Sequence, residues 1–360
     1  MPAGKLKLAV MWMAMFVISG LFVFAAIEIS LRVIVDRALR HETGSPPPGS
    51  PPLMLSSIPG LGYQLAPDKS TGDILTDSHG FRVRPAAKEP VRHNILLVGD
   101  SITYGLGVAY EKTYAPLLEA SLTQALGERT AVWDAAVPGY NTDQELLQME
   151  EMAPIVNPQL VIVQFCLNDY EEPYRLTPAG GLEGVRAPQA PQAPSDAGFS
   201  AGFSLIGLAR QSYALIFANQ ILREFQQLHP EWFPRWAHYV HHIHTKPGWE
   251  RAKAALLRMD EAAKKRNVRL LIVVFPYEPQ LRLPDREAQD DLVRFAQAHQ
   301  LSMLDLYAAF RAHWREDLYI GKRLRAGPPD TMHLNERGHA LASSEIARAI
   351  LERSEYYLHN

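Results

Sequence analysis

The chain has 360 residues, of which 47% are hydrophobic and 21% charged, so its composition is that of a globular protein and not of a disordered or collagen-like one. Its formal net charge of -3, from 36 basic and 39 acidic residues, provides no strongly basic surface and excludes nucleic acid as an expected partner. The single cysteine, Cys166, excludes an intrachain disulfide and a cysteine-rich zinc site.

The first predicted element is an apolar stretch at residues 8–27, LAVMWMAMFVISGLFVFAAI, which contains no charged residue. About 20 helical residues match a hydrocarbon core of roughly 30 Å, so we predict a single transmembrane helix. Lys5 and Lys7 precede it and favour a cytoplasmic N-terminus, although three arginines follow it by residue 40. A cleaved signal peptide and a helix buried in a water-soluble unit are the alternatives. We favour an uncleaved anchor.

The composition along the chain predicts three regions. We predict a membrane anchor with a helical extension at residues 1–41, a Pro/Gly-rich linker at 42–57 and a catalytic domain at 58–360. The interval of roughly a hundred residues between the third and fourth strands of that domain exceeds ordinary crossover lengths, so we predict an insertion at about 175–248. Its segment APQAPQAP is predicted to be a loop. The aromatic residues at 232–239 are expected either to pack locally or to form a lid or substrate wall.

The catalytic domain alternates predicted strands with predicted helices. Short apolar runs indicate five strands, at residues 94–98, 131–135, 160–165, 269–275 and 301–304. Helical periodicity appears between them and after them, at residues 113–126, 143–152, 251–265, 286–299 and 336–351. This alternation predicts an α/β fold whose parallel sheet is covered by helices on both faces.

A candidate nucleophile follows the first strand directly. The sequence Gly-Asp-Ser places Ser101 on a turn at the carboxyl edge of the sheet, where open α/β folds bind ligands. Serine is a weak nucleophile at neutral pH and needs a base, which His333 can supply with Asp330 as its orienting carboxylate. Asn335 is predicted to cap the final helix, which would leave His333 in the loop just before it.

Acyl transfer also needs hydrogen-bond donors for a developing oxyanion. Gly139, after the second strand, has a backbone N–H that can approach closely because glycine lacks a Cβ. Asn168, after the third strand, offers a side-chain NH₂ without a competing charge. Both residues are expected at the same edge of the sheet as Ser101.

These residues occur in the order and context of the four sequence blocks of the SGNH, or GDSL, hydrolase family, which the chain resembles over residues 92–354. The resemblance implies a flavodoxin-like three-layer α/β/α fold with a five-stranded parallel sheet. It implies Ser101, Asp330 and His333 as the catalytic triad, and Ser101, Gly139 and Asn168 as the oxyanion hole. The segments ending at Arg82 and Thr142 are similar to those of membrane-anchored bacterial members. Cys166 and Leu167 precede the Asn-Asp pair, where the family often has glycine.

Other polar residues outside these blocks are interpreted as structural. The histidines at 241 and 244 could share a helical face, but no carboxylate accompanies them, so we predict a helix of the insertion and no metal site. Asp305 and Asp317 are interpreted as loop or capping residues, His339 as a packing residue of the final helix, and Cys166 as a buried small hydrophobic residue.

The expected function is that of a membrane-anchored serine esterase that needs no cofactor. We expect it to cleave ester-linked acyl groups, with acetyl the expected group, from an envelope or exported carbohydrate or a small ester. The expected location is the bacterial inner membrane, with a single span and the catalytic domain outside the cytoplasm. The alternatives are a carbohydrate O-acetyltransferase with the same triad, and a non-catalytic carbohydrate-binding scaffold. The sequence indicates no particular protein partner.

Overall fold

The computed structural model describes residues 11–12, 15–16, 18–20, 22–33, 50–71, 74–83, 91–178, 180–184, 243–282, 284–321 and 330–358, and the single residues 212, 214, 218, 222 and 225. The chain divides into two compact units. One comprises Met1–Ser45 and Ala190–Phe225, and the other comprises Pro46–Gln189 and Gln226–Asn360. All of the site residues predicted from the sequence belong to the second unit.

The second unit contains eleven described strands and nine described α-helices. The strands are β1 (Leu53–Leu55), β2 (Tyr63–Leu65), β3 (Ser70–Thr71), β4 (Ile74–Leu75), β5 (His93–Val98), β6 (Thr130–Asp134), β7 (Leu160–Phe165), β8 (Tyr174–Leu176), β9 (Leu182–Gly184), β10 (Arg269–Val274) and β11 (Met303–Asp305). The helices are α1 (Ser101–Tyr104), α2 (Tyr114–Leu126), α3 (Thr142–Val156), α4 (Pro247–Lys265), α5 (Glu278–Arg282), α6 (Glu287–His299), α7 (Tyr307–Ala312), α8 (Glu336–Leu351) and α9 (Ser354–Tyr357).

Five of the strands form one sheet in the order β11-β10-β7-β5-β6, and every neighbouring pair is parallel. This confirms the predicted five-stranded parallel sheet and has the flavodoxin-like strand order. The direction of the strand order reverses between β5 and β7, which opens a crevice beyond their carboxyl ends. The predicted blocks that contain Ser101 and Asn168 follow these two strands, so the fold brings both blocks to that crevice.

Helices cover both faces of the sheet, which explains why its central strands are mostly apolar and almost fully buried. All six residues of β7 are buried. Helix α2 packs against α8, whereas α4 packs against both α3 and α6. Because crossovers between parallel strands are right-handed, the helices after β6, β7 and β10 cover the face opposite to α2.

The predicted helix ends differ from the observed ones at two prolines. Helix α3 continues to Val156, four residues beyond its predicted end, and includes Pro154. Helix α4 begins at Pro247, whereas the prediction started it at residue 251. A proline is well suited to the first helical turn, because its missing N–H would have no intrahelical partner there.

The residues before the sheet are more ordered than the sequence indicated. Strand β1 lies inside the range predicted as linker, 42–57, and pairs with β2 in an antiparallel ribbon. A hydrophobic cluster separate from the core around the sheet holds this ribbon on the domain. It contains Leu61, Tyr63, Leu65, Tyr104, Ala136, Val137 and Tyr140. The ribbon is therefore part of the unit that carries the sheet.

In the first unit, residues 22–33 are helical, and Glu28 Oε2 accepts hydrogen bonds from Ser212 Oγ and from the backbone N–H of Ala214, both at 2.8 Å. Among the residues that the structure describes, no helix has both the length and the apolar character needed to cross a bilayer. Part of the predicted span, at 8–10, 13–14, 17 and 21, lies outside the described residues, as do residues 34–49, the APQAPQAP segment, the aromatic residues at 232–239 and His241. His244 lies in the short 3₁₀ helix Ile243–Thr245.

Candidate active site

Ser101 follows a tight turn that joins β5 to α1. At Gly99, within this turn, a Cβ atom would lie 2.5 Å from Thr103 Oγ1 and 2.6 Å from Gln164 Oε1, so only glycine fits at this position. Asp100 caps α1, because its side chain accepts a hydrogen bond from the N–H of Ile102 at 2.8 Å. Ser101 is the first residue of this helix and is half-buried. The turn therefore presents the hydroxyl group at the carboxyl edge of the sheet.

His333 and Asp330 complete a chain of hydrogen bonds that begins at this serine. His333 Nε2 is 2.7 Å from Ser101 Oγ, and His333 Nδ1 is 2.6 Å from Asp330 Oδ2. The other carboxylate oxygen of Asp330 accepts hydrogen bonds from the backbone N–H groups of His333 (2.9 Å) and Met332 (3.1 Å). Asn335 caps α8 by accepting hydrogen bonds from the N–H groups of Arg337 and Gly338, so His333 lies in the loop just before that helix.

The electrostatic environment favours the charged form of both members of this pair. Burial by itself lowers the pKa of His333, but the hydrogen bond and charge of Asp330, with a contribution from the charge of Asp100, raise it above 6.5. Burial by itself raises the pKa of Asp330, but the hydrogen bonds and charge of His333 outweigh burial and lower that pKa. A histidine whose protonated form is stabilised in this way is suited to accept and return a proton.

His339, unlike His333, has neither a carboxylate partner among the described residues nor a raised pKa. Its side chain is buried, stacks on Tyr114 and accepts a hydrogen bond at Nδ1 from the Tyr114 N–H at 3.3 Å. Burial lowers the pKa of His339 to about 3, and the positive charges of Arg82 and His333 add to this effect. It therefore stays neutral at physiological pH and acts as a packing residue, as its place in the final helix indicated.

Gly139 lies in the loop that joins β6 to α3. Its φ of +81° belongs to the left-handed region that favours glycine, and a Cβ atom there would lie 2.9 Å from Tyr63 Oη and 3.0 Å from Leu182 Cδ1. The loop is tied to the nucleophile turn, because the N–H of Val137 donates to the carbonyl of Gly99 at 3.0 Å. The structure thus brings the Gly139 block against the Ser101 block.

Asn168 follows β7 and contacts the residue before the nucleophile. Its Nδ2 donates to Asp100 Oδ2 at 3.3 Å, and its Oδ1 accepts hydrogen bonds from Tyr277 Oη at 2.6 Å and from the Cys166 thiol. The amide is therefore held between the Ser101 turn on one side and the loop after β10 on the other. An NH₂ group has two hydrogens, so the bond to Asp100 leaves one hydrogen for another acceptor.

A buried acidic cluster lies behind the turn. Asp100, Cys166 and Asp169 bring their side-chain ligand atoms within 4.8 Å of one another, a grouping that could in principle gather a metal ion. These groups are engaged with one another, since the Cys166 N–H donates to Asp169 Oδ2 at 2.9 Å and its thiol lies 3.4 Å from both Asp100 Oδ2 and Asp169 Oδ1. Burial, and then the negative charge of Asp100, raise the pKa values of both Asp169 and Cys166. The thiol therefore stays protonated and acts as a hydrogen-bond donor.

Three side chains near the site had no role in the sequence prediction. Tyr63 donates its hydroxyl to the carbonyl of Pro138 at 3.0 Å, beside Gly139. Arg82, which is buried, donates to the carbonyl groups of Gly105 and Val108, which follow α1 in the chain. Tyr277 contacts Asn168 from a position 109 residues away in the chain. The burial of Arg82 is visible only in the structure, and local sequence gives no signal for the two tyrosines.

Sequence comparison identifies a related family. The profile described as the GDSL-like lipase/acylhydrolase family matches residues 97–341, more than half of the 360-residue chain. This range includes every residue of the predicted triad and oxyanion hole. No curated protein matches the sequence.

Comparison with solved structures finds similar chains of low sequence identity. A lipase/acylhydrolase from Enterococcus faecalis is 20% identical with a TM-score of 0.40, and the match covers 72% of this chain and 96% of that one. The esterase EstA from Pseudoalteromonas sp. is 12% identical with a TM-score of 0.41, covering 73% and 99%. A catalytic mutant of Axe2, an acetylxylan esterase from Geobacillus stearothermophilus, is 15% identical with a TM-score of 0.41, covering 73% and 96%.

Proposed function

Because the chain belongs to the GDSL-like lipase/acylhydrolase family and is a serine esterase of the SGNH type, we propose that it cleaves ester-linked acyl groups through an acyl-serine intermediate on Ser101. The observation that carries this proposal is the unbroken chain from Ser101 Oγ to His333 Nε2 (2.7 Å) and from His333 Nδ1 to Asp330 Oδ2 (2.6 Å). A nucleophile, a base and an orienting carboxylate in contact are the geometry that acyl transfer requires.

The reaction proceeds in two steps through this relay. Ser101 Oγ attacks the ester carbonyl carbon while its proton passes to His333 Nε2, and Asp330 stabilises the imidazolium that forms. The imidazolium then gives this proton to the departing alkoxide, which leaves as the alcohol. A water molecule repeats the sequence on the acyl-serine: His333 takes its proton, the hydroxide oxygen bonds to the carbonyl carbon, and the proton returns to Ser101 as the acid leaves.

Three donors are proposed for the oxyanion that forms in each step. They are the backbone N–H groups of Ser101 and Gly139 and the side-chain NH₂ of Asn168. The placement of Gly139 and Asn168 on loops tied to the Ser101 turn supports this assignment. We assign no step to a metal or an organic cofactor.

The crowding beside Gly139 favours a small acyl group such as acetyl. Tyr63, Leu182 and Tyr174 approach the Cβ direction of Gly139 to 2.9, 3.0 and 3.3 Å. The β8–β9 hairpin supplies two of these side chains and the β1–β2 ribbon supplies the third. Since an acyl chain next to the oxyanion would meet this wall, long chains are disfavoured.

A membrane-anchored location outside the cytoplasm completes the proposal. The uncharged apolar stretch at residues 8–27 supports it, and so do the large apolar side chains of its described part, such as Trp12 (61% exposed), Phe16 (80%) and Phe22 (73%). An enzyme held there would meet acylated carbohydrates of the bacterial envelope or exported polymers, and these are the proposed substrates. A C-terminal reporter fusion tests the location. Activity of a fused reporter that functions only in the cytoplasm would overturn it.

Covalent labelling tests the proposed activity on the full-length protein in detergent. A fluorophosphonate should bond to Ser101 Oγ with loss of fluoride, and Ser101→Ala should not be labelled.

The rate of ester hydrolysis should be highest with p-nitrophenyl acetate and lower with the butyrate and octanoate esters. Release of acetate from acetylated glycans, measured with and without an added sugar acceptor, separates hydrolysis from acyl transfer. A folded wild-type protein that is neither labelled nor active would favour the non-catalytic scaffold.

A further inference from the structure

The hydroxyl group of Tyr277 lies against the side-chain amide of Asn168. Tyr277 follows β10 in the loop that leads to α5, and 2% of its surface is exposed. Its backbone N–H donates to Gln280 Oε1 at 3.0 Å, which fixes the loop on α5. Its hydroxyl oxygen is 2.6 Å from Asn168 Oδ1. A tyrosine hydroxyl is a good donor to an amide oxygen, so this contact is a short hydrogen bond.

The partners of Asn168 determine which way its amide faces. The oxygen end meets two O–H or S–H donors, Tyr277 and Cys166, whereas the nitrogen end meets a carboxylate oxygen of Asp100 at 3.3 Å. Rotation of the amide by half a turn would place its oxygen against that carboxylate oxygen and would leave the Tyr277 and Cys166 hydrogens facing an NH₂ group. Only the observed orientation satisfies all of these groups, and it directs the NH₂ toward the Ser101 turn.

We propose that Tyr277 is a positioning residue, which holds the Asn168 side chain so that its NH₂ donates to the oxyanion of the acyl transfer reaction. The inference rests on the proposed function of the site. Tyr277 itself touches neither substrate nor nucleophile in this assignment and acts through Asn168. A donor that is already oriented needs no reorganisation when charge develops on the carbonyl oxygen, so its loss falls on the transition state and not on substrate binding.

Kinetics of the full-length Tyr277→Phe variant test this role. The change removes only the hydroxyl group and keeps the ring, so the fold should persist with a small loss of melting temperature. With p-nitrophenyl acetate we expect kcat to fall about tenfold, equivalent to ~1.4 kcal/mol of transition-state stabilisation, with KM within about twofold of wild type. The rate of fluorophosphonate labelling should fall in parallel, since the phosphoryl oxygen uses the same donors.

Tyr319→Phe is the matched control. Tyr319 is also buried, and its hydroxyl donates to the carbonyl of Pro276 at 2.7 Å, in the same loop as Tyr277. The variant removes a hydrogen bond of the same kind from that loop without touching Asn168. We expect a comparable change in melting temperature and a kcat within about twofold of wild type. An equal fall of kcat in both variants would show that general loosening of the loop is the cause, and would overturn the inference.

A double-mutant cycle with Asn168→Ala decides whether Tyr277 acts through Asn168. If it does, the double variant should have the kcat of Asn168→Ala alone, because the hydroxyl then has nothing to orient. A further tenfold fall in the double variant, or an unchanged kcat in Tyr277→Phe, would overturn the inference. Normal kcat in Asn168→Ala would overturn the inference as well. If Ser101 were still labelled in that variant, the esterase assignment would stand. Failure of the wild-type protein to be labelled would instead count against the proposed function.

Discussion

Replacing Asp330 by asparagine changes the group that orients His333 and alters little else. Oδ1 of Asp330 accepts hydrogen bonds from the N–H groups of Met332 (3.1 Å) and His333 (2.9 Å), whereas Oδ2 contacts His333 Nδ1 at 2.6 Å. The asparagine oxygen can keep both backbone hydrogen bonds, so we expect the loop to keep its conformation. An NH₂ group in place of Oδ2 is a donor only, which drives the imidazole to the tautomer that carries its proton on Nε2.

The size of the effect follows from this change of tautomer. Nε2–H would then face Ser101 Oγ, 2.7 Å away, and could not accept the hydroxyl proton. We expect kcat to fall roughly 10³- to 10⁴-fold at neutral pH, about 4 to 5.5 kcal/mol.

The pH dependence of kcat/KM should change as well. Asp330 raises the pKa of His333 in the wild type, so activity is lost as the pH falls through a value above 6.5. In the variant, burial dominates and the acid limb should move to lower pH.

The assay is the pH dependence of kcat/KM with p-nitrophenyl acetate for wild type, Asp330→Asn and Asp305→Asn. The last is a matched control, because Asp305 also uses one oxygen to accept a backbone hydrogen bond, from Tyr307 at 2.9 Å, and the other to contact a cation, Arg286 at 2.9 Å. It should retain wild-type kcat within about twofold and the wild-type acid limb. A folded Asp330→Asn variant with kcat within tenfold of wild type and an unmoved acid limb would refute the reasoning.

Three further substitutions test the site. Ser101→Ala should abolish turnover and labelling while the melting temperature stays within a few degrees of wild type, since the side chain is half-buried on a turn; retained turnover would remove it as nucleophile. Gly139→Ala should lower both kcat and stability, the latter by about 1 to 2 kcal/mol, because of its φ of +81° and the 2.9 Å approach to Tyr63; calorimetry and esterase assays check this. Leu182→Ala should raise the butyrate-to-acetate ratio of kcat/KM by roughly 3- to 10-fold, and an unchanged ratio would show that this side chain does not limit acyl length.

The sheet could be predicted from the sequence because most of its strands are short, predominantly apolar runs. Residues 160–165 were predicted as a strand and form β7, in which every residue is buried. The start of α4 was missed because the Pro-Gly pair at 247–248 indicates a turn in local sequence, although a proline is favourable in a first helical turn. Strand β1 was missed because the prolines that precede it gave its neighbourhood the composition of a linker.

The candidate site residues could be proposed from the sequence because each lies near the end of a predicted strand or just before a predicted helix, and because together they resemble the blocks of a known family. Their surroundings could not, because they depend on contacts between distant segments. Tyr277 meets Asn168 across 109 residues, and Tyr63 meets Pro138 across 75 residues. No local pattern specifies such pairs, since either tyrosine would be equally compatible with an ordinary core position. The orientation of the Asn168 amide, on which its proposed donor role depends, therefore emerged only from the fold.

The segment before the family-matched range has a direct bearing on the site. Residues 50–83 precede residue 97, where the family match begins, yet Tyr63 from this segment lies against the Gly139 loop. Arg82 joins α1 to the sheet, because its guanidinium donates to the carbonyls of Tyr104, Gly105 and Val108 while its backbone N–H donates to Asp134 at the end of β6.

Since α1 begins with Ser101, a change that loosens Arg82 would move the nucleophile relative to His333 without touching either residue. The contacts of Tyr63 and Arg82 therefore make residues 50–83 part of the structure that supports the Ser101 and Gly139 loops. It follows that a shortened protein intended for activity measurements must begin before residue 50, and that one beginning near residue 92 would expose the cluster around Tyr63 and Tyr140 to water.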